Sequence, residues 1–115
     1  MLPSLHDFLN HIYSECVFIT ENTENKTKAD FLEDEILLRA SVRSLEIIGE
    51  ATKKLPIEFK NKHPYINWNE MAGMRDVLIH SYFGVDYDIV WNTITNDILE
   101  LQKNLQIITE QNNED

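Results

Sequence analysis

The chain has 115 residues, three glycines, three prolines, one cysteine and a formal net charge of −10. That length suits one domain with a sizeable core, few Gly and Pro favour long helices joined by few turns, and the negative charge speaks against non-specific nucleic-acid binding by the whole surface. No apolar run approaches the roughly 18 residues of a membrane span, Cys16 alone cannot form an internal disulfide, and the first residues lack the basic flank and apolar core of a signal peptide, so a cytoplasmic protein without membrane attachment is expected.

The first helix is expected from Ser4 to about Ile19. Ser4 caps it, with Asp7 at the third helical position. Leu5, Phe8, Leu9, Ile12, Cys16 and Ile19 recur at three- and four-residue steps as one apolar stripe. His6 and His11 lie off that stripe and read as solvent residues. Residues 21–26 are polar throughout and read as a loop. Thr27, with Asp30 following, caps a second helix that continues to about Leu55, where Pro56 stops it. That helix is apolar on two sides. Leu38, Val42, Leu45 and Ile48 form one row, and Leu37, Ala40, Ile47 and Ala51 form another. Such breadth implies burial against two surfaces, one of them a candidate partner subunit. Gly49 fits mid-helix if another backbone comes close there.

Pro56 to Trp68 reads as a connector with one short helical turn around Glu58 and Phe59. Asn67 or Asn69 caps the third helix, and Glu70 completes a capping box with Asn67. Met71, Met74, Leu78 and Tyr82 are expected on one face, and Gly84 is a natural left-handed terminator. Asp86 caps the last helix, whose seam is Tyr87, Trp91, Ile94, Ile98, Leu101, Leu105 and Ile108. Four helices and no strand signal make residues 1–115 a single all-α domain, a four-helix up-and-down bundle.

Charge is unevenly spread. Residues 1–38 sum to −6, residues 39–75 to +3, and residues 76–115 to −7. The only net-positive third ends at Arg75, in the pattern Arg75-x4-His80-x-Tyr82. An arginine fork matches phosphate oxygens, and a histidine with a pKa of about 6.5 exchanges a proton near neutral pH, a pairing suited to chemistry at a phosphodiester. Other chemistries are not encoded. No histidine has a carboxylate three residues before it, as a di-iron bundle site requires. Zinc spacing, a Gly-rich phosphate loop and a nucleophile elbow are missing too. No metal and no cofactor is expected.

Several blocks in order give the chain a family resemblance. They are Arg43-Ser44-Leu45-Glu46-Ile47-Ile48-Gly49-Glu50-Ala51, Leu55-Pro56, Trp68 through His80, Tyr82-Phe83-Gly84-Val85-Asp86 and Val90-Trp91. The chain resembles the HepT-like toxins of the HEPN superfamily. The resemblance implies a HEPN-like helical domain, a homodimer or higher oligomer, and metal-independent cleavage of RNA rather than DNA. It further implies Arg75 and His80 as catalytic residues, Asp76 as their support and Tyr82 as an acceptor of AMP from a minimal nucleotidyltransferase antitoxin. In an ideal helix five residues turn about 140° beyond a full circle, whereas seven return to within about 20°. Arg75 and Tyr82 then share a face that His80 does not, so either the helix distorts or two subunits bring their motifs together. A different class of reading stays open: a non-catalytic module that binds nucleotide or a partner. In it His80 is hydrogen-bonded near a helix end, Arg75 pairs with Glu46 or Glu50, and Tyr82 is a core aromatic.

Overall fold

The computed structural model describes residues 4–78 and 84–114, with the side chains of Arg75, Val77 and residues 112–114 outside that description. The described elements are helical: α1 (Leu5–Thr23), α2 (Lys28–Glu33), α3 (Glu35–Lys53), α4 (Ile57–Lys62), α5 (Trp68–Ala72), α6 (Met74–Leu78), α7 (Tyr87–Asn92), a π-helical turn (Thr93–Ile98) and α8 (Leu99–Glu114). Thr93 and Leu99 keep right-handed helical dihedrals, so α7, the π turn and α8 form one rod. The all-α bundle stands, and its rods follow the four expected helices. Three of them carry interruptions.

The caps explain where the rods begin. Ser4 Oγ accepts from the Asp7 amide at 3.2 Å while Asp7 accepts from the Ser4 amide at 2.9 Å. These hydrogen bonds hold the Asp7 carboxyl below its ordinary pKa. Thr27 and Asp30 make the same reciprocal box. α1 outruns its expected end by one turn. Its last residues are polar, but the Asn22 amide and the Thr23 hydroxyl donate to the carbonyls of Phe18 and Ile19 at 2.7 and 2.8 Å, and Thr23 is buried. Side-chain bonds of this kind let polar residues finish a helix.

The expected second helix is broken at Asp34, whose dihedrals are extended. Its Oδ1 accepts from the Leu37 amide at 3.0 Å, so one residue ends α2 and caps α3. The break turns Phe31 inward, fully buried and 5.1 Å from the Trp91 ring. α4 is longer than the single turn expected. Beyond it the Trp68 indole donates to the His63 carbonyl at 3.0 Å, closing the connector over Phe59.

α3 is the centre of the bundle. It packs on α1 along one side and on α5, α6 and α7 along the other. Leu37, Leu38, Val42, Leu45, Ile48 and Ala51 are all buried within this one chain. The chain's own helices therefore cover most of that apolar breadth, while Ala40 and Ile47 of the second row stay half-buried. The last rod contributes Val90, Ile94, Ile98, Leu101, Leu105 and Ile108 to the core, with Tyr87 and Trp91 half-buried beside it. No described helix is long and apolar enough to cross a membrane.

Candidate functional site

The motif segment is built from its two ends. At the first, Asn67 Oδ1 accepts from the Glu70 amide at 3.2 Å and Asn67 Nδ2 donates to Glu70 at 2.7 Å, so Asn67, of the two candidates, starts α5. Gly73, with φ −86° and ψ 2°, ends α5 after five residues, and α6 restarts at Met74. The expected third helix is thus two short pieces. Met71, Met74 and Leu78 face the core as expected, each 4 % exposed or less.

Gly49 sets how close these pieces come. A Cβ there would stand 3.2 Å from the Met71 carbonyl oxygen and 3.6 Å from that of Ala72. The missing side chain lets the end of α5 press against α3 immediately before Arg75. This is the close backbone approach that a mid-helix glycine implied. At the far end Gly84 has φ +118°, a conformation that glycine adopts at little steric cost. Asp86 then accepts from the amides of Asp88 and Ile89 at 3.0 and 3.3 Å, starting α7.

Arg75 lies on α6 between buried Met74 and exposed Asp76. His80 and Tyr82 lie outside the described residues, as does the Arg75 side chain. The structure supplies the frame: a helix anchored on α3 that carries Arg75, and a left-handed glycine and a capped helix that receive the chain after Tyr82.

The described surface carries several concavities. A groove of about 420 Å³ runs between α1 and α3, with Phe8, Ile47 and Ala51 as apolar lining and His11, Arg43 and Lys54 among its polar residues. The sequence alone places His11 off the apolar stripe, as a solvent residue. The signal for its place in the groove is its spacing from Phe8, three residues away on the same helix, once α3 stands opposite. A smaller pocket of about 200 Å³ gathers Glu70, Asp97 and Glu100. Burial and the Glu100 charge push the Asp97 carboxyl above its ordinary pKa, and a hydrogen bond with Glu70 draws it partway back. Among the described residues no group of His, Cys, Asp and Glu is arranged to hold a metal ion. Cys16 is no nucleophile, since burial pushes its thiol up to about 12.

Comparison with known proteins bears on this frame. The sequence model of the family Ribonuclease HepT-like matches residues 12–108, a span that contains the whole motif. A protein of Caldanaerobacter subterraneus named "Putative RNase" is 52% identical over 104 residues, covering 90% of this chain and 93% of that one. A Thermococcus cleftensis protein named "Probable ribonuclease HepT" is 47% identical over 102 residues, covering 89% of this chain and 93% of its own. A Methanocaldococcus jannaschii protein named "Gamma-glutamylcyclotransferase and putative RNase" is 44% identical, and the match spans 47% of its length. No solved structure matches the chain. With a family match over most of its length and relatives this similar, the chain belongs to the ribonuclease HepT-like family of the HEPN superfamily.

Proposed function

We propose that the protein is a metal-independent endoribonuclease, the toxin of a toxin–antitoxin pair, acting in the cytoplasm through Arg75 and His80. The observation that carries this reading is the family match over residues 12–108 of a chain that keeps Arg75, His80 and Tyr82 together. His80 takes the proton from an RNA 2′-hydroxyl, and that oxygen attacks the adjacent phosphorus. The bond to the 5′-oxygen breaks, and the departing oxygen takes up a proton. Arg75 stabilises the charge building on the phosphoryl oxygens, and exposed Asp76 supports it from the next position. The products are a 2′,3′-cyclic phosphate and a 5′-hydroxyl. Two subunits contribute their motifs to one cleft, which resolves the unlike helical faces of Arg75 and His80.

Tyr82 is the switch. Its phenol oxygen bonds to the α-phosphorus of ATP on a nucleotidyltransferase antitoxin, releasing pyrophosphate and a proton. The attached phosphate then pairs with Arg75 in the substrate's place.

The test is cleavage of RNA by the purified chain in EDTA, with end analysis of the products. Positioned proton transfer contributes about 10²–10⁴-fold, so Arg75→Ala and His80→Ala should each lose detectable cleavage. An undiminished His80→Ala rate would overturn the assignment. With the transferase and ATP, mass should rise by one or more AMP units in the parent and not in Tyr82→Phe. A net charge of −10 favours the second reading, a non-catalytic helical module that binds nucleotide or sequesters its transferase. Growth arrest on expression, lost in Arg75→Ala, discriminates for the toxin. Equal growth of the two supports the module.

A further inference from the structure

The groove between α1 and α3 is mixed in a specific way. Its volume of about 420 Å³ falls within the range of small-ligand sites, roughly 300–1,000 Å³. Half-buried Phe8 and Ile47 offer apolar contact, while Arg43 and Lys54 are exposed. The Arg43 side chain is 71 % exposed, and its contact with Glu46 is 4.0 Å long, at the limit of an ion pair. The side chains of Lys54 and His11 have no ion pair or hydrogen bond among the described residues.

Two acids, Glu46 and Glu50, share the groove, and Lys53 stands 3.5 Å from Glu50. The groove is thus near neutral on a body of net charge −10. At Lys54 it reaches the end of α3, where residues 52–63 hold four lysines and one glutamate. The Lys60 ammonium donates to the Thr52 carbonyl at 3.5 Å and keeps α4 against that end. A polyanion entering here crosses a balanced floor and then a positive one. The aromatic ring beside cations is the combination that single-stranded nucleic acid uses, a base on the π face and phosphates on the charges.

We propose that this groove seats a single-stranded stretch of the RNA substrate, with a base on Phe8 and Ile47 and the flanking phosphates on His11, Arg43 and Lys54. The inference rests on the ribonuclease reading and extends it to how a strongly acidic protein holds RNA. α6, which carries Arg75, packs on the same α3. A strand in the groove is therefore bound to the helix on which the motif is mounted.

The experiment uses a fluorescent, fully 2′-O-methylated RNA 12-mer, which cannot be cleaved by this mechanism because it has no 2′-hydroxyl. Its anisotropy is followed on the full chain across a salt series. Arg43→Ala/Lys54→Ala should raise Kd about tenfold and lower the slope of log K against log salt by about 1.4, at roughly 0.7 for each phosphate no longer neutralised. On cleavable RNA the defect should appear as a raised KM. Lys28→Ala/Lys103→Ala, which removes the same charge elsewhere, should change Kd less than twofold. Equal effects of the two double variants would reduce the groove to general electrostatics and overturn the proposal. So would a change of oligomeric state on sedimentation of the groove variant, which would make this face a subunit contact. If the parent cuts RNA and the groove variant binds like the parent, the groove fails and the ribonuclease stands. If the parent neither binds nor cuts RNA, both fail together.

Discussion

Gly49 shows how much a single position sets here. Its absent Cβ leaves room for the Met71 and Ala72 carbonyls on α3, so a large side chain would push α5 and α6 outward. Overpacking of this kind costs about 1–3 kcal/mol. Gly49→Leu should lose that much in urea unfolding, and any ribonuclease activity should fall further than stability alone requires, because Arg75 moves with α6. Asp97 makes a prediction of another sort. Its folded pKa is raised by burial and by Glu100. The folded state thus holds its proton to higher pH than the unfolded chain does. Asp97 imposes no penalty below the unfolded value, and stability is lost as pH rises through the folded one. Asp97→Asn should be more stable than the parent at pH 7, with the difference vanishing near pH 3. A constant difference across that range would remove the carboxyl from the explanation.

Among the elements, the caps were legible from sequence and the interruptions were not. Ser4, Thr27, Asn67 and Asp86 all cap as their types and spacing indicated, because a cap is a local bond between residues three apart. Asp34 caps through a bond three residues on as well, but it sits inside an apolar period with no Gly or Pro, so the segment reads as one continuous helix. The break places Phe31 against Trp91, a contact made across 60 residues. Asp34→Ala should remove the bond to the Leu37 amide and cost about 1 kcal/mol. A chemical denaturation midpoint checks this, and an unchanged midpoint would mean that packing alone holds the elbow. The π turn is hidden for a similar reason. Its period differs from α by a fraction of a residue per turn. The Thr95 hydroxyl and the Asn96 amide donate to the carbonyls of Trp91 and Asn92 at 2.9 and 3.0 Å, bonds that composition does not reveal.

At the scale of the molecule, charge dominates. A net −10 on 115 residues disfavours the compact state through self-repulsion, and salt screens that repulsion with a Debye length of about 10 Å at 0.1 M. The described ion pairs are exposed or only partly covered and contribute little that screening could remove. Thermal unfolding should therefore shift upward by a few degrees between about 0.02 and 0.3 M sodium chloride, where roughly 4–8 °C corresponds to 1 kcal/mol for a domain near this size. A midpoint that falls would show that attraction outweighs repulsion. The linear order of residues was enough for the helical class, four of the caps, most of the core stripes and the motif Arg75-x4-His80-x-Tyr82, since each depends on neighbours within a turn or two. It was not enough to tell which apolar rows meet within the chain, where the rods bend, or that His11 shares a groove with Arg43 and Lys54. Those depend on contacts between residues far apart in sequence, and they come into being when α1 and α5 close on the two sides of α3.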